Sequence, residues 1–196
     1  MPENSWTVMT DSLALLRSVA KRINNAQIKA PTPCAEWTVA QVLQHAAGDQ
    51  LAWSAALGTG LGPSENPFEP SGSFEGSAEA LLDPAIASAT AAWASVPPDR
   101  ESVPTPLPQG ALPPATAAAA CALDAAVHAW DIAVATAQPV PLTNDLAAQL
   151  LPAARAIVEP LRQFGAYGPA LAAEPGDGAA AELLRYLGRD PQWRAL

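Results

Sequence analysis

The sequence predicts an all-α bundle. Alanine-rich segments with helical apolar spacing make up most of the chain, and its 21 prolines cluster between those segments as punctuation. No strand-rich region interrupts them, and no repeat of fixed length emerges. Long proline-rich connections add that not all sequence neighbours pack antiparallel.

The first helix lies within "SWTVMTDSLALLRSVAKRIN", where Val8, Leu13, Leu15, Leu16 and Val19 follow a helical period and basic residues close the segment. "APTPCAEW" is a proline-broken connector. Thr38 then opens "TVAQVLQHAAGDQLAWSAALG" with Gln41 three residues on, a capping-box pattern, and Gly58 supplies a stop. The second helix is expected from about Val39 to Leu57.

Residues 58–76 are rich in Gly, Pro and Ser without a period and form a long loop, one of a kind that can close over a site. Asp83 before Pro84 reads as an N-cap followed by proline at the first helical position, so the third helix is expected to start there and end at "PPDR". Residues 97–114 hold seven prolines and predict an extended crossover, with room for a short strand pair around "QG".

The fourth helix, about Ala115 to Ala137, contains no Lys, Arg or Glu. "LTNDLAAQLLPAARAIVEPLRQFG" predicts a capped fifth helix with a kink at Pro152. "GAAAELLRYLG" predicts a short terminal helix stopped by Gly188.

The 196 residues fit one domain spanning residues 1–196. A net charge of -9 repels phosphate backbones and anionic lipid headgroups, which argues against nucleic acid and membrane partners. The two cysteines, Cys34 and Cys121, are too few for a disulfide scaffold and match no zinc-finger spacing. With no leader pattern at its start and no run expected to span a bilayer, the chain is expected to be soluble and cytoplasmic. Alanine-rich helices could also pack between subunits, which allows a homodimer.

The fourth helix spends two of its few polar positions on Asp124 and His128. Residues four apart differ by about 40° around a helix, so these two share a face, and Cys121 and Asp131 lie within about 60° of Asp124. One reading makes this stripe a solvated face with an exposed ion pair. The other notes that a helix with so little charge is buried nearly all round, where a carboxylate requires a compensating cation.

The chain's second histidine, His45, lies on the second helix with Asp49 four residues on. That helix carries an apolar stripe through Val39, Val42, Leu43, Ala46, Trp53 and Leu57, with Asp49 at its edge and His45 about 100° from its centre. His45 either flanks a cleft or faces water. If the two helices face each other, His45, Asp124 and His128 supply three nitrogen or oxygen ligands and leave a position open.

Asp131 can accept the other ring N–H of His128, as supporting carboxylates do, or bind a neighbouring helix's backbone. Asp49 is the matching candidate on the second helix. Cys121 reads as core packing or a deep ligand, and Cys34 as structural. Trp37, Trp53 and Trp93 read as core anchors. Arg185, Arg189 and Arg194 steer an anion or complement a helix end.

Four segments, "TPCAEWTVAQVLQH", "DAAVHAWDIAVAT", "FGAYGP" and "LLRYLGRDPQW", together resemble the actinobacterial branch of the DinB-like superfamily, which includes the N-terminal domain of mycothiol-dependent maleylpyruvate isomerase. The resemblance implies a DinB-like four-helix bundle with long crossover loops and extra short C-terminal helices. It also implies a divalent metal, zinc or nickel, on His45, Asp124 and His128. Asp124 departs from the Glu usual in the mycothiol branch, a side chain one methylene longer. That isomerase also carries an additional C-terminal domain that contributes to its substrate site.

By this resemblance the protein is a metal-dependent transferase or isomerase that joins a low-molecular-weight thiol such as mycothiol to an electrophile. A non-catalytic metal-binding or stress-associated module is the alternative.

Overall fold

The computed structural model describes residues 6–34, 36–97 and 99–195. Among them stand six helices and no strand: α1 (Thr7–Ala20), α2 (Val39–Ala56), α3 (Ala78–Ala94), α4 (Pro114–Ala135), α5 (Asn144–Gln163) and α6 (Ala179–Tyr186). The first four pack in a closed ring, with α1 against α4, α4 against α2, α2 against α3 and α3 against α1. This is the expected helical bundle. α5 covers the outer side of α4, and the eight-residue α6 packs on α5.

α4 is thus enclosed by α1, α2 and α5, and 17 of its 22 residues are buried. Alanine suits that position because it lets neighbouring backbones approach closely and is the best helix former. By length and composition α4 could cross a bilayer, with a mean hydropathy of 1.4, which corrects the expectation that no run would. Yet 89% of that stretch is buried inside the protein, as in a core helix. Bulk between the alanine helices comes from Trp53, Trp93 and Trp130, all fully buried, with the Trp53 and Trp93 rings 6.0 Å apart.

The capping box of α2 is present. Thr38 Oγ1 accepts from the Gln41 amide at 3.4 Å, and Gln41 Oε1 accepts from the Thr38 amide at 2.9 Å. Gly58 ends the helix at φ 87°, a conformation that costs glycine little. α3, by contrast, begins at Ala78, capped by Ser77, whose Oγ accepts from the Ala80 amide at 3.2 Å. The Asp83–Pro84 signal is therefore interior to the helix. Asp83 turns outward to Arg17 of α1 (2.8 Å), a long-range partner no local pattern shows.

Among the described residues, the crossover between α3 and α4 carries a single antiparallel bridge, Val103 to Leu112, around the turn that contains Gln109 and Gly110. α4 begins at Pro114, and Ala137 lies beyond its end at φ 56°. α5 is capped by Thr143 and carries Pro160 as well as Pro152 inside it. The loop after α2 lies against that helix. Gln44 Nε2 donates to Ser71 Oγ (2.9 Å) and Ser73 O (3.0 Å), Gln44 Oε1 accepts from the Gly72 amide (2.7 Å), and Gln41 Nε2 donates to Pro70 O (3.3 Å).

Candidate metal centre

Because α2 and α4 are neighbours in the ring, His45 faces Asp124 and His128 across their interface. His45 Nε2 stands 3.2 Å from Asp124 Oδ1, and His128 Nε2 stands 3.3 Å from the same oxygen. The two imidazole rings meet edge-on with centroids 4.9 Å apart. One donor atom from each of the three residues lies within 4.8 Å of the others, so the group could hold a metal ion. Both histidines are buried, and the Asp124 side chain is 14% exposed. The stripe on α4 is therefore not a solvated face.

The outer ring nitrogens decide what the inner ones can do. His45 Nδ1 lies 2.9 Å from the carbonyl oxygen of Pro67, which can only accept, so this nitrogen carries the proton. His128 Nδ1 lies 2.9 Å from Asp131 Oδ2 and donates likewise. In the neutral tautomers both Nε2 atoms then present lone pairs to the same carboxylate oxygen, a repulsive arrangement that either a proton or a cation must relieve. Asp124 Oδ2 is buried without any hydrogen-bond partner. Two imidazoles with inward lone pairs and a carboxylate with an orphaned oxygen fit a divalent cation.

In the metal-free protein a proton takes that role. Burial alone would lower the His128 pKa, but Asp124 and Asp131 outweigh it and raise it to about 10. Burial correspondingly opposes ionisation of Asp124, yet the charge of His128 and hydrogen bonds from both histidines hold its carboxyl well below the usual range. Asp131 is also held low, chiefly by Arg189 against its burial.

Arg189, beyond α6, grips Asp131 with two bonds: Nε to Oδ1 at 2.9 Å and Nη2 to Oδ2 at 2.8 Å. Both side chains are buried, so Arg189 does not steer an anion, while its Nη1 reaches the carbonyl of Leu187 at the C-terminal end of α6 (3.4 Å). It continues the chain of contacts from His128 outward. The sequence holds one clue to this, since an Asp on an enclosed helix requires a cation from elsewhere. Arg185 instead pairs with Glu174 and Asp177, and Arg194 is exposed.

Asp131 thus contacts His128 through the ring N–H and not a helix backbone. Among the described residues Asp49 makes no hydrogen bond to either histidine. Burial, and after it the charge of Asp124, push its carboxyl well above the ordinary range, and its Oδ2 has no partner. Cys121 turns away from the three donors, and its Sγ bonds Gln50 Oε1 at 3.2 Å. Cys34, read as structural, instead lies beside the centre, in a second group with His128 and Asp131. That group is a poorer cation site because Arg189 already occupies both Asp131 oxygens.

Trp53 and Trp93 are core anchors, but Trp37 is only half-buried and its ring lies 4.9 Å from that of His45. Phe68, from the loop after α2, sets its ring edge-on to His45 at 5.3 Å. Tyr167 also borders the centre: burial first, then the charge of Asp124, push its hydroxyl up. Phe68 has no sequence pattern that ties it to the histidines, since it comes from an irregular segment, whereas Tyr167 falls in the "FGAYGP" segment.

A family model described as the mycothiol maleylpyruvate isomerase N-terminal domain matches residues 9–133, a span that contains His45, Asp124, His128 and Asp131. The chain is similar to two uncharacterized proteins of Mycobacterium tuberculosis, MT0763 of strain CDC 1551 / Oshkosh and Rv0738 of strain ATCC 25618 / H37Rv. Each is 35% identical over 170 residues, covering 83% of this chain and 85% of the relative. No solved structure matches the chain. With a matching model over more than half its length, the chain belongs to the mycothiol maleylpyruvate isomerase N-terminal domain family.

Proposed function

We propose that the protein binds a divalent metal, zinc or nickel, through His45, Asp124 and His128, and uses it as a thiol-dependent, mycothiol-type transferase or isomerase. The observation that carries the metal is the pair of Nε2 lone pairs converging on Asp124 Oδ1 while both Nδ1 atoms are engaged elsewhere. Two imidazoles and a carboxylate suit zinc and nickel better than they suit calcium or magnesium. Family membership supports the thiol and a cytoplasmic setting.

When bound, the ion supplies positive charge that favours the thiolate form of a thiol near neutral pH. The chain's own residues do the rest. Pro67 and Asp131 fix the two histidine tautomers, Arg189 holds Asp131, and the low exposure of all three ligands keeps bulk water away. Asp124 supplies the one negative charge among the ligands and keeps the remaining charge positive.

Elemental analysis of protein purified without a metal-affinity tag tests the metal. The expected content is near one equivalent, and His128→Ala abolishes it. Content below about a tenth of an equivalent overturns the reading.

A second reading, a non-catalytic metal-binding or stress-associated module, draws on the narrow access to the centre. Two surface hollows, one lined by Leu151, Leu171 and Tyr186 and one by Ala47, Gly48 and Pro63, include no ligand residue. Offering the metal-loaded protein a low-molecular-weight thiol and a panel of electrophiles separates the two. Adduct formation above the metal-free control supports the enzyme, and equal rates leave the module.

A further inference from the structure

The surroundings of the centre are short of positive charge. The sequence has ten Lys and Arg residues, and among the described residues the one whose charge weighs most on the groups around the site is Arg189. That guanidinium is spent. Two of its nitrogens bond Asp131, and Nη1 contacts Leu187 O at 3.4 Å. On the negative side, Asp124 keeps a buried oxygen without a partner. The net charge of -9 adds a long-range field of the same sign.

What the site presents instead is ring surface. Trp37 and Phe68 flank His45 at 4.9 Å and 5.3 Å, and Phe68 remains 55% exposed although it is a large apolar side chain. An exposed aromatic beside a polar centre contributes most when it covers apolar surface.

We infer that the molecule this centre accepts beside its metal is uncharged away from its reacting atom and presents ring or hydrocarbon surface to Trp37 and Phe68. Apart from the metal itself, the cationic side chain beside the centre among the described residues, Arg189, is already paired, so a pendant carboxylate or phosphate meets Asp124 without a partner of its own. The inference rests on the metal reading above and narrows the substrate class within it.

Two thiols that offer the same sulfhydryl but differ in the pendant group test it: 2-phenylethanethiol and mercaptosuccinate. Each is titrated calorimetrically into the full-length protein loaded with zinc, whose content is measured on the same sample. The expected result is binding of 2-phenylethanethiol about tenfold or more tighter than mercaptosuccinate, the size of one unmatched charge or one lost apolar contact. Phe68→Ala, at an exposed position, weakens 2-phenylethanethiol about threefold to tenfold per equivalent of zinc measured on the same sample.

Equal or tighter binding of mercaptosuccinate overturns the inference while leaving the metal reading intact, and so does zinc-loaded protein that binds neither thiol. An unchanged affinity in both Phe68→Ala and Phe68→Leu removes the aromatic contact and overturns it as well. Protein that retains no zinc defeats the metal reading, and this inference with it.

Discussion

Arg189 and Asp131 form a buried two-bond pair at 2.8 and 2.9 Å, and Asp131 in turn holds the Nδ1 side of His128. One ionic contact therefore serves both the fold and the candidate centre. The segment beyond α6 is tied by it to α4.

Arg189→Ala leaves Asp131 charged, buried and without its guanidinium. The expected cost is about 3–5 kcal/mol, read as a lower midpoint in urea unfolding. A double replacement, Asp131→Leu with Arg189→Met, recovers much of that stability because no charge stays buried. Its zinc affinity stays about 10–100-fold below that of the unaltered protein, since His128 has lost its anchor. Competition titration against a fluorescent zinc chelator reads the second effect apart from the first.

Metal uptake is expected to release a proton. The His128 pKa is raised to about 10 in the metal-free protein, above its unfolded value, so at neutral pH it is an imidazolium whose Nε2 proton the metal displaces. Zinc affinity should rise about tenfold per pH unit from neutrality until the pH reaches that value. Calorimetry in buffers of different ionisation enthalpy counts the proton. The same shift gives metal-free protein a stabilising contribution that is complete below about pH 6.5 and lost as pH rises through about 10.

Gly48→Ala probes the link between the loop and His45. A Cβ there would come within 2.9 Å of Pro67 Cγ and 3.0 Å of its Cβ, so the proline that holds His45 Nδ1 must shift. Replacing a helical glycine gains up to about 1 kcal/mol, which offsets part of the clash. Thermal stability is therefore expected to change little while zinc affinity falls. A variant with unchanged affinity would show that the loop does not position His45.

Thr38→Ala removes one half of the capping box on α2 and is expected to cost about 1 kcal/mol. Chemical denaturation measures it. Metal content should be unaffected, because His45 sits two turns further along the helix.

What the sequence reveals here is what local physics sets. The α2 capping box, the enclosed α4 and the shared face of Asp124 and His128 follow from spacing and composition, and the structure has all three. The start of α3 misled because Asp83–Pro84 imitates a helix start while Ser77 provides the real one. Pro67, Phe68, Tyr167 and Arg189 reach the centre from irregular segments. No periodicity reports where such residues end up. Cys34 and Trp37 escaped for the same reason, since the connector before α2 folds back beside His128 and His45.

The position of Arg189 also sets a sequence of events during translation. A ribosome that has synthesised α1 to α5 has already produced every proposed ligand, but the guanidinium that neutralises Asp131 emerges only after α6. Until then the nascent bundle holds Asp131 without its guanidinium, and the ion pocket is complete only once the segment beyond α6 has docked on α4.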